Sequence, residues 1–150
     1  MMGQEIRCYT IGYGNRTLDE LVRMLHDNRI SHLVDVRRFP QSWFEDFSKE
    51  KLEELLPAYG IAYFHCQGVG GLRESTYLEY MNTIEFKDSF SKLLEKITWV
   101  NQSKGRIVLM CAEKNPKKCH RYHLSLHLIK EGVEVIHLTE SGQMNLDMYG

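Results

Sequence analysis

The residues of this chain that could do chemistry lie in clusters. Cys111 ends an apolar run, Arg106 to Cys111, and Ala112-Glu113 follow it; Cys119-His120-Arg121 come shortly after, in the first turns of a predicted helix. A thiol at a helix N-terminus beside cations has a lowered pKa and becomes nucleophilic. Cys119 meets that description by position. Cys111 meets it only where its side chain turns toward the same loop, and otherwise it is a small buried apolar residue. Cys8, in mid-strand, and Cys66 read as packed thiols. Lys114, Lys117 and Lys118 crowd the same helix start, with Glu113 as their nearby offset. Basic residues there oppose the helix dipole by ~0.3–1 kcal/mol each. A bound anion would resolve the conflict, because amides and cations converge on it. Solvated lysines are the plainer reading of those three.

Arginine forks match the oxygens of carboxylates and phosphates. Arg16, Arg37, Arg38, Arg73 and Arg121 each stand near the end of a predicted strand or in the segment after it, with Gly12, Gly70 and Gly71 among them. These arginines and glycines are the candidate substrate-binding set. Asp35 lies in an apolar strand. Pairing with a nearby arginine is its plain reading and a general base its functional one. Glu113 has the same two readings, with capping of the following helix as a third, and His120 is a further candidate acid or base. The candidate catalytic set is therefore Cys111, Cys119, Glu113, Asp35 and His120.

Several standard sites are excluded. The position at which a phosphatase or sulfurtransferase loop after Cys111 needs its arginine holds Lys117. Gly68 to Gly71 has no following Lys-Ser/Thr, so it is not a Walker loop, and Gly12-x-Gly14 lacks the third glycine of a dinucleotide fingerprint. Cys111, Cys119, His120, His65 and Cys66 could supply soft metal ligands, but their spacing matches no standard zinc pattern. No metal site is expected, and no cofactor is indicated. His26, His32, His123, His127 and His137 read as structural.

The elements that must position these residues can be read from periodicity. Arg7–Ile11, Ser31–Val36, Ile61–Cys66, Arg106–Cys111 and Val133–Leu138 are short apolar runs bounded by turn residues and read as strands. Thr17-Leu18-Asp19-Glu20 is a capping box for a helix carrying Leu21, Val22 and Leu25. Ser48 caps a second helix, closed by Gly60. Thr76–Trp99 is helical with a break near Thr83. Asn115-Pro116 should start the last helix and Gly132 end it. Strands that alternate with helices and are apolar at nearly all positions predict a parallel sheet covered on both faces. The expected fold is a single-domain α/β three-layer sandwich with a mostly parallel sheet of about five strands. In such sheets ligands bind beyond the carboxyl ends of the strands, and the candidate residues gather at those ends.

The 150 residues suit one domain, 1–150, with the polar stretch Thr139 to Gly150 the least ordered. A 43% apolar and 26% charged composition is globular, and a formal net charge of −1 gives no overall pull toward nucleic acid or anionic membrane, so an anion site must be local. No apolar run is long enough to span a membrane. The start of the chain lacks a secretory pattern, and with few, dispersed cysteines the thiols are expected to be reduced and the protein cytoplasmic.

Thr10-Ile11-Gly12 with Asn15-Arg16, Asp35-Val36-Arg37-Arg38-Phe39-Pro40, Gly70-Gly71-Leu72-Arg73, Leu109-Met110-Cys111-Ala112-Glu113 and Cys119-His120-Arg121 occur in that order. Together they resemble the family called domain of unknown function 488, from about Ile6 to Leu138. In that family the first turn usually carries His and Ser or Thr where this chain has Tyr13 and Gly14. Its second loop is usually basic and polar where this chain has Trp43-Phe44-Glu45-Asp46. The resemblance implies a compact α/β domain of cytoplasmic microbial proteins. It also implies that Asp35, Arg37, Arg38, Arg73, Cys111, Glu113, Cys119, His120 and Arg121 act as one constellation. It implies no reaction.

Three functions fit these residues. The leading one is an enzyme acting on a phosphate-bearing or other anionic substrate, nucleotide or nucleic-acid related, with the arginines as anion holders, Cys111 or Cys119 as nucleophile and Glu113, Asp35 or His120 as acid or base. The second is a non-catalytic binding module for a nucleotide or nucleic acid, in which the cysteines only pack. The third is a metal or redox sensor built on Cys111 and Cys119. The expected partner is a small anionic ligand or nucleotide, with nucleic acid as an alternative and no membrane.

Overall fold

The computed structural model describes residues 5–38, 47–70, 77–113 and 120–139, and the backbone of a strand at Gly142–Asn145. The chain runs β1 (Ile6–Gly12), α1 (Leu18–Asp27), β2 (His32–Asp35), α2 (Lys49–Leu55), β3 (Ala62–His65), α3 (Tyr77–Tyr80), α4 (Ile84–Gln102), β4 (Ile107–Cys111), α5 (Arg121–Lys130), β5 (Val133–Thr139) and β6 (Gly142–Asn145). The sheet order is β3-β2-β4-β1-β5-β6. β1 to β5 are mutually parallel, and β6 joins β5 antiparallel.

Alternation along the strands divides the core. Tyr9, Ile11, Leu33, Val108 and Met110 pack on one face with Leu21, Val22 and Leu25 of α1 and Leu52 of α2. Cys8, Val34, Leu109 and Cys111 pack on the other with Phe86, Phe90, Leu93 and Ile97 of α4 and Leu124 and Leu128 of α5. β2 and β4 are thus apolar on both sides, which is why they read as continuous runs. The result is the expected α/β three-layer sandwich.

The local signals work as their chemistry requires. Thr17 Oγ1 accepts from Glu20 N while the Glu20 carboxylate accepts from Thr17 N, closing the capping box of α1. Thr83 caps α4 and separates it from α3. Pro57 does not lie inside α2; it opens a short 3-10 turn, Pro57–Tyr59, that Gly60 closes at φ 81°. The described part of the last helix begins at Arg121, so the expected cap at Asn115 lies outside the described residues. β6 arises inside the stretch read as least ordered. An edge strand such as β5 presents an unpaired ladder, and Gln143 and Asn145 give that pairing little apolar signature in sequence.

The order of the strands places the crevices. α1 and α2 leave β1 and β2 on one face, whereas α5 leaves β4, which lies between them, on the other. Chain ends that part to opposite faces open a gap above the carboxyl edge of β4 on both sides, where α/β sheets bind ligands.

Candidate functional site

On the β1 side of β4 the gap is closed by the chain itself. Tyr13 N bonds Cys111 O at 3.1 Å and Gly14 N bonds Ala112 O at 2.8 Å, so the two loops continue the ladder beyond the strands. Gly12 sits beneath this contact. A Cβ there would stand 1.9 Å from Glu113 O and 2.9 Å from Arg121 Nη2. The glycine is therefore required by close backbone approach. Arg16 Nη1 donates to Gly12 O. Arg121, only 1% exposed, reaches back from α5 to give Nη2–H to Glu113 O at 2.7 Å and Nη1–H to Thr10 Oγ1 at 3.0 Å. Thr10 in turn bonds His137 Nδ1.

On the β2 side the rim is built around Asp35, which is fully buried. Arg37 grips its carboxylate with Nε at 2.8 Å and Nη2 at 2.6 Å, and Arg37 N adds a third bond at 3.1 Å. Tyr63 from β3 donates its hydroxyl at 2.5 Å. Burial opposes the guanidinium charge, but the Asp35 carboxylate more than offsets it and raises the Arg37 pKa further above its ordinary range. Burial, then the same carboxylate, pushes the Tyr63 hydroxyl up, so it stays a donor. The remaining Arg37 nitrogen, Nη1, donates to Tyr13 Oη at 3.3 Å, and the Tyr13 ring stacks on Phe47 at 4.2 Å between centroids. Asp35 thus has its oxygens taken up in holding Arg37 and Tyr63.

Arg38 differs. Its side chain is 21% exposed; Nη1 lies 3.6 Å from Glu85 and 3.5 Å from Tyr80 Oη, above the Tyr80 ring. Tyr80 Oη also lies 2.7 Å from Gly68 O and 3.0 Å from Glu85 Oε2, which share its one proton. Gly70 lets this turn approach β2, since a Cβ there would stand 2.4 Å from Arg38 N.

Two histidines complete the rim. Val36 N bonds Met110 O of β4, and Asp35 O accepts from Cys66 N beyond β3. Past those rungs β2 has outrun its neighbours. His120 Nε2 takes the next carbonyl on the β4 side, Val36 O, at 3.1 Å, and His65 Nε2 takes the next on the β3 side, Arg37 O, at 2.7 Å. A carbonyl only accepts, so both rings carry their proton on Nε2.

Cys111 is 2% exposed and its Sγ–H donates toward Glu113 O at 3.6 Å, which places it as a packed thiol. Burial raises the Cys8 and Cys66 thiols above their usual pKa. Cys119, Gly71 and Arg73 lie outside the described residues, as do Lys114, Lys117 and Lys118. Among the described residues, no three His, Cys, Asp or Glu side chains come together to hold a metal. No helix among them is long and apolar enough to cross a membrane.

The structure thus brings Asp35, Arg37, Arg38, His120 and Gly70 together over β2, and Gly12, Arg16, Cys111, Glu113 and Arg121 over β1 and β4. Tyr13, Tyr63 and Tyr80 carry no site role in the sequence reading; in the structure the Tyr13 and Tyr80 hydroxyls meet Arg37 and Arg38, and that of Tyr63 meets Asp35. The sequence reading places His65 at the carboxyl end of a strand, in the clusters that share one rim, and also weighs it as a metal ligand. No curated protein matches the chain. The family model for domain of unknown function DUF488 matches residues 17–128, and the chain belongs to that family.

Proposed function

We propose that the chain is an enzyme acting on a phosphate-bearing or other anionic substrate, nucleotide or nucleic-acid related, held over the carboxyl ends of β2, β3 and β4. One observation carries this reading. Arg37 and Arg38 are consecutive, and the carbonyls beside them are taken by His65 and His120, so cations and imidazoles meet on one short backbone segment. Arg37 supplies a fixed fork whose counter-ion, Asp35, is built in. Arg38 supplies the fork that a ligand can reach, because its ion pair with the largely exposed Glu85 is of the kind that contributes little and exchanges readily.

Calorimetric titration with pyrophosphate, nucleoside mono- and diphosphates and a short single-stranded oligonucleotide tests this. At least one phosphate ligand should bind. Arg38→Ala should weaken it by about tenfold, the loss of roughly 1.4 kcal/mol. No binding across the set would overturn the reading. A steep fall of oligonucleotide affinity with added salt would mark many phosphate contacts and thus a nucleic-acid ligand.

A second reading, a binding module without catalysis, is favoured by Cys111, whose packed thiol is spent on a backbone carbonyl. The two readings part on turnover of the ligand that binds. Alkylation of each cysteine against pH, read by mass spectrometry, then shows whether any thiol takes part.

A further inference from the structure

We infer that His65 is the proton acceptor of this rim, with Nδ1 as its basic atom. The inference rests on the anion-binding reading above and names a residue for it. The imidazole is half-buried at the carboxyl end of β3, in register with Asp35 across the β2–β3 ladder. Its Nε2–H is committed to Arg37 O at 2.7 Å. That bond orients the ring and fixes the tautomer, as a carbonyl or carboxylate does for a catalytic histidine. Among the described residues Nδ1 has no hydrogen-bond partner. The ring therefore keeps a lone pair beside the residues that hold the anion.

Satisfying a rim carbonyl does not by itself require histidine. A glutamine amide also offers an N–H. What histidine adds is the basic nitrogen. In the step assigned to it, the O–H bond of a ligand hydroxyl or bound water breaks. The proton goes to Nδ1, the electron pair stays on oxygen, and the ring becomes imidazolium. The new positive charge is shared with Nε2–H, whose bond to Arg37 O strengthens as it becomes charge-assisted.

The test uses the full chain with pyrophosphate as the probe and three proteins: wild type, His65→Gln and His65→Ala. Glutamine keeps an N–H for Arg37 O and removes the base. Diethyl pyrocarbonate labels unprotonated imidazole nitrogens, and mass spectrometry reads His65 separately from the other histidines. The expected result has three parts: His65 labels readily near neutral pH, pyrophosphate slows that labelling several-fold, and His65→Gln melts like the wild type and still binds pyrophosphate, whereas His65→Ala melts lower. Pyrophosphate that raises the melting temperature yet leaves the His65 labelling rate unchanged would overturn this inference and leave the anion-binding reading standing. Resistance of His65 to the reagent in the free protein would also overturn it. Absence of any pyrophosphate effect on melting would overturn the anion-binding reading, and the inference with it.

Discussion

Removing one charge from the Asp35–Arg37 pair leaves the other inside the fold without its counter-ion. Arg37 is 6% exposed and Asp35 fully buried, and the guanidinium spends both Nε and Nη2 on that carboxylate. Breaking such a pair typically costs about 3–5 kcal/mol, although the intact pair adds little over an apolar substitute. Asp35→Asn is therefore expected to lower the urea-unfolding free energy by about that amount. The double variant Asp35→Asn with Arg37→Met should lose less than the two single changes added together. Strict additivity would mean that the two residues act independently and that the rim is not organised around them. The type of each residue was legible in sequence, down to Asp35 paired with an arginine. The tyrosines were not. Tyr13, Tyr63 and Tyr80 look like core aromatics in a one-dimensional pattern, and only the strand order brings their hydroxyls to Arg37, Asp35 and Arg38. His65 was legible at its strand end, but its hydrogen bond was not. Its partner, Arg37 O, lies on a neighbouring strand, and a carbonyl leaves no mark in the sequence.

At the scale of elements, the helices stop by a device the sequence obscures. α1 and α4 end in residues with left-handed backbone, Arg29 at φ 56° and Lys104 at φ 67°. Glycine normally takes that place. In α4 the glycine comes one residue later, because Gly105 serves packing: a Cβ there would stand 2.7 Å from Ser31 Oγ and 3.0 Å from Val100. Lys104 N and Gly105 N bond back to Asn101 O and Val100 O, as a helix-closing motif requires. A non-glycine residue in this conformation costs roughly 1 kcal/mol. Lys104→Gly is thus expected to raise stability by about 0.5–1 kcal/mol, discounted for the larger unfolded-state entropy of glycine. Urea unfolding checks it, and a loss of stability would show that the lysine side chain contributes more than its backbone costs. Strands with continuous apolar runs and helices with caps were legible because each is specified within a few residues. The strand order was not legible. The insertion of β4 between β2 and β1 is decided by which faces remain to be covered. β6 escaped because Gly142-Gln143-Met144-Asn145 has little apolar pattern in sequence, whereas its place is set by backbone pairing with β5.

For the molecule as a whole, one buried network ties the two halves of the sheet together and should govern its response to acid. Thr10 of β1 and His137 of β5 are register partners, and both are fully buried. Arg121 Nη1 donates to Thr10 Oγ1, which also shares a hydrogen bond with His137 Nδ1. Protonating His137 would put a second cation near the buried Arg121 guanidinium. Burial, reinforced by Arg121, accordingly pushes the His137 pKa down from its usual 6.5 to about 4. A folded-state pKa below the unfolded value means that the unfolded chain binds the proton first. The contribution is therefore complete above pH 6.5 and is lost as pH falls from there toward 4. Its size is roughly 3 kcal/mol over that span. His32, whose pKa is lowered by burial and then by Lys96, adds a loss of the same sign. Urea unfolding at a series of pH values should show this decline in the wild type. In His137→Gln, which does not titrate, the starting stability should be lower and the decline shallower, with His32 accounting for part of what remains. An equal slope in both proteins would place the acid sensitivity outside this network. The link from β1 through Thr10 to α5 and the Glu113 carbonyl would then be one of packing alone.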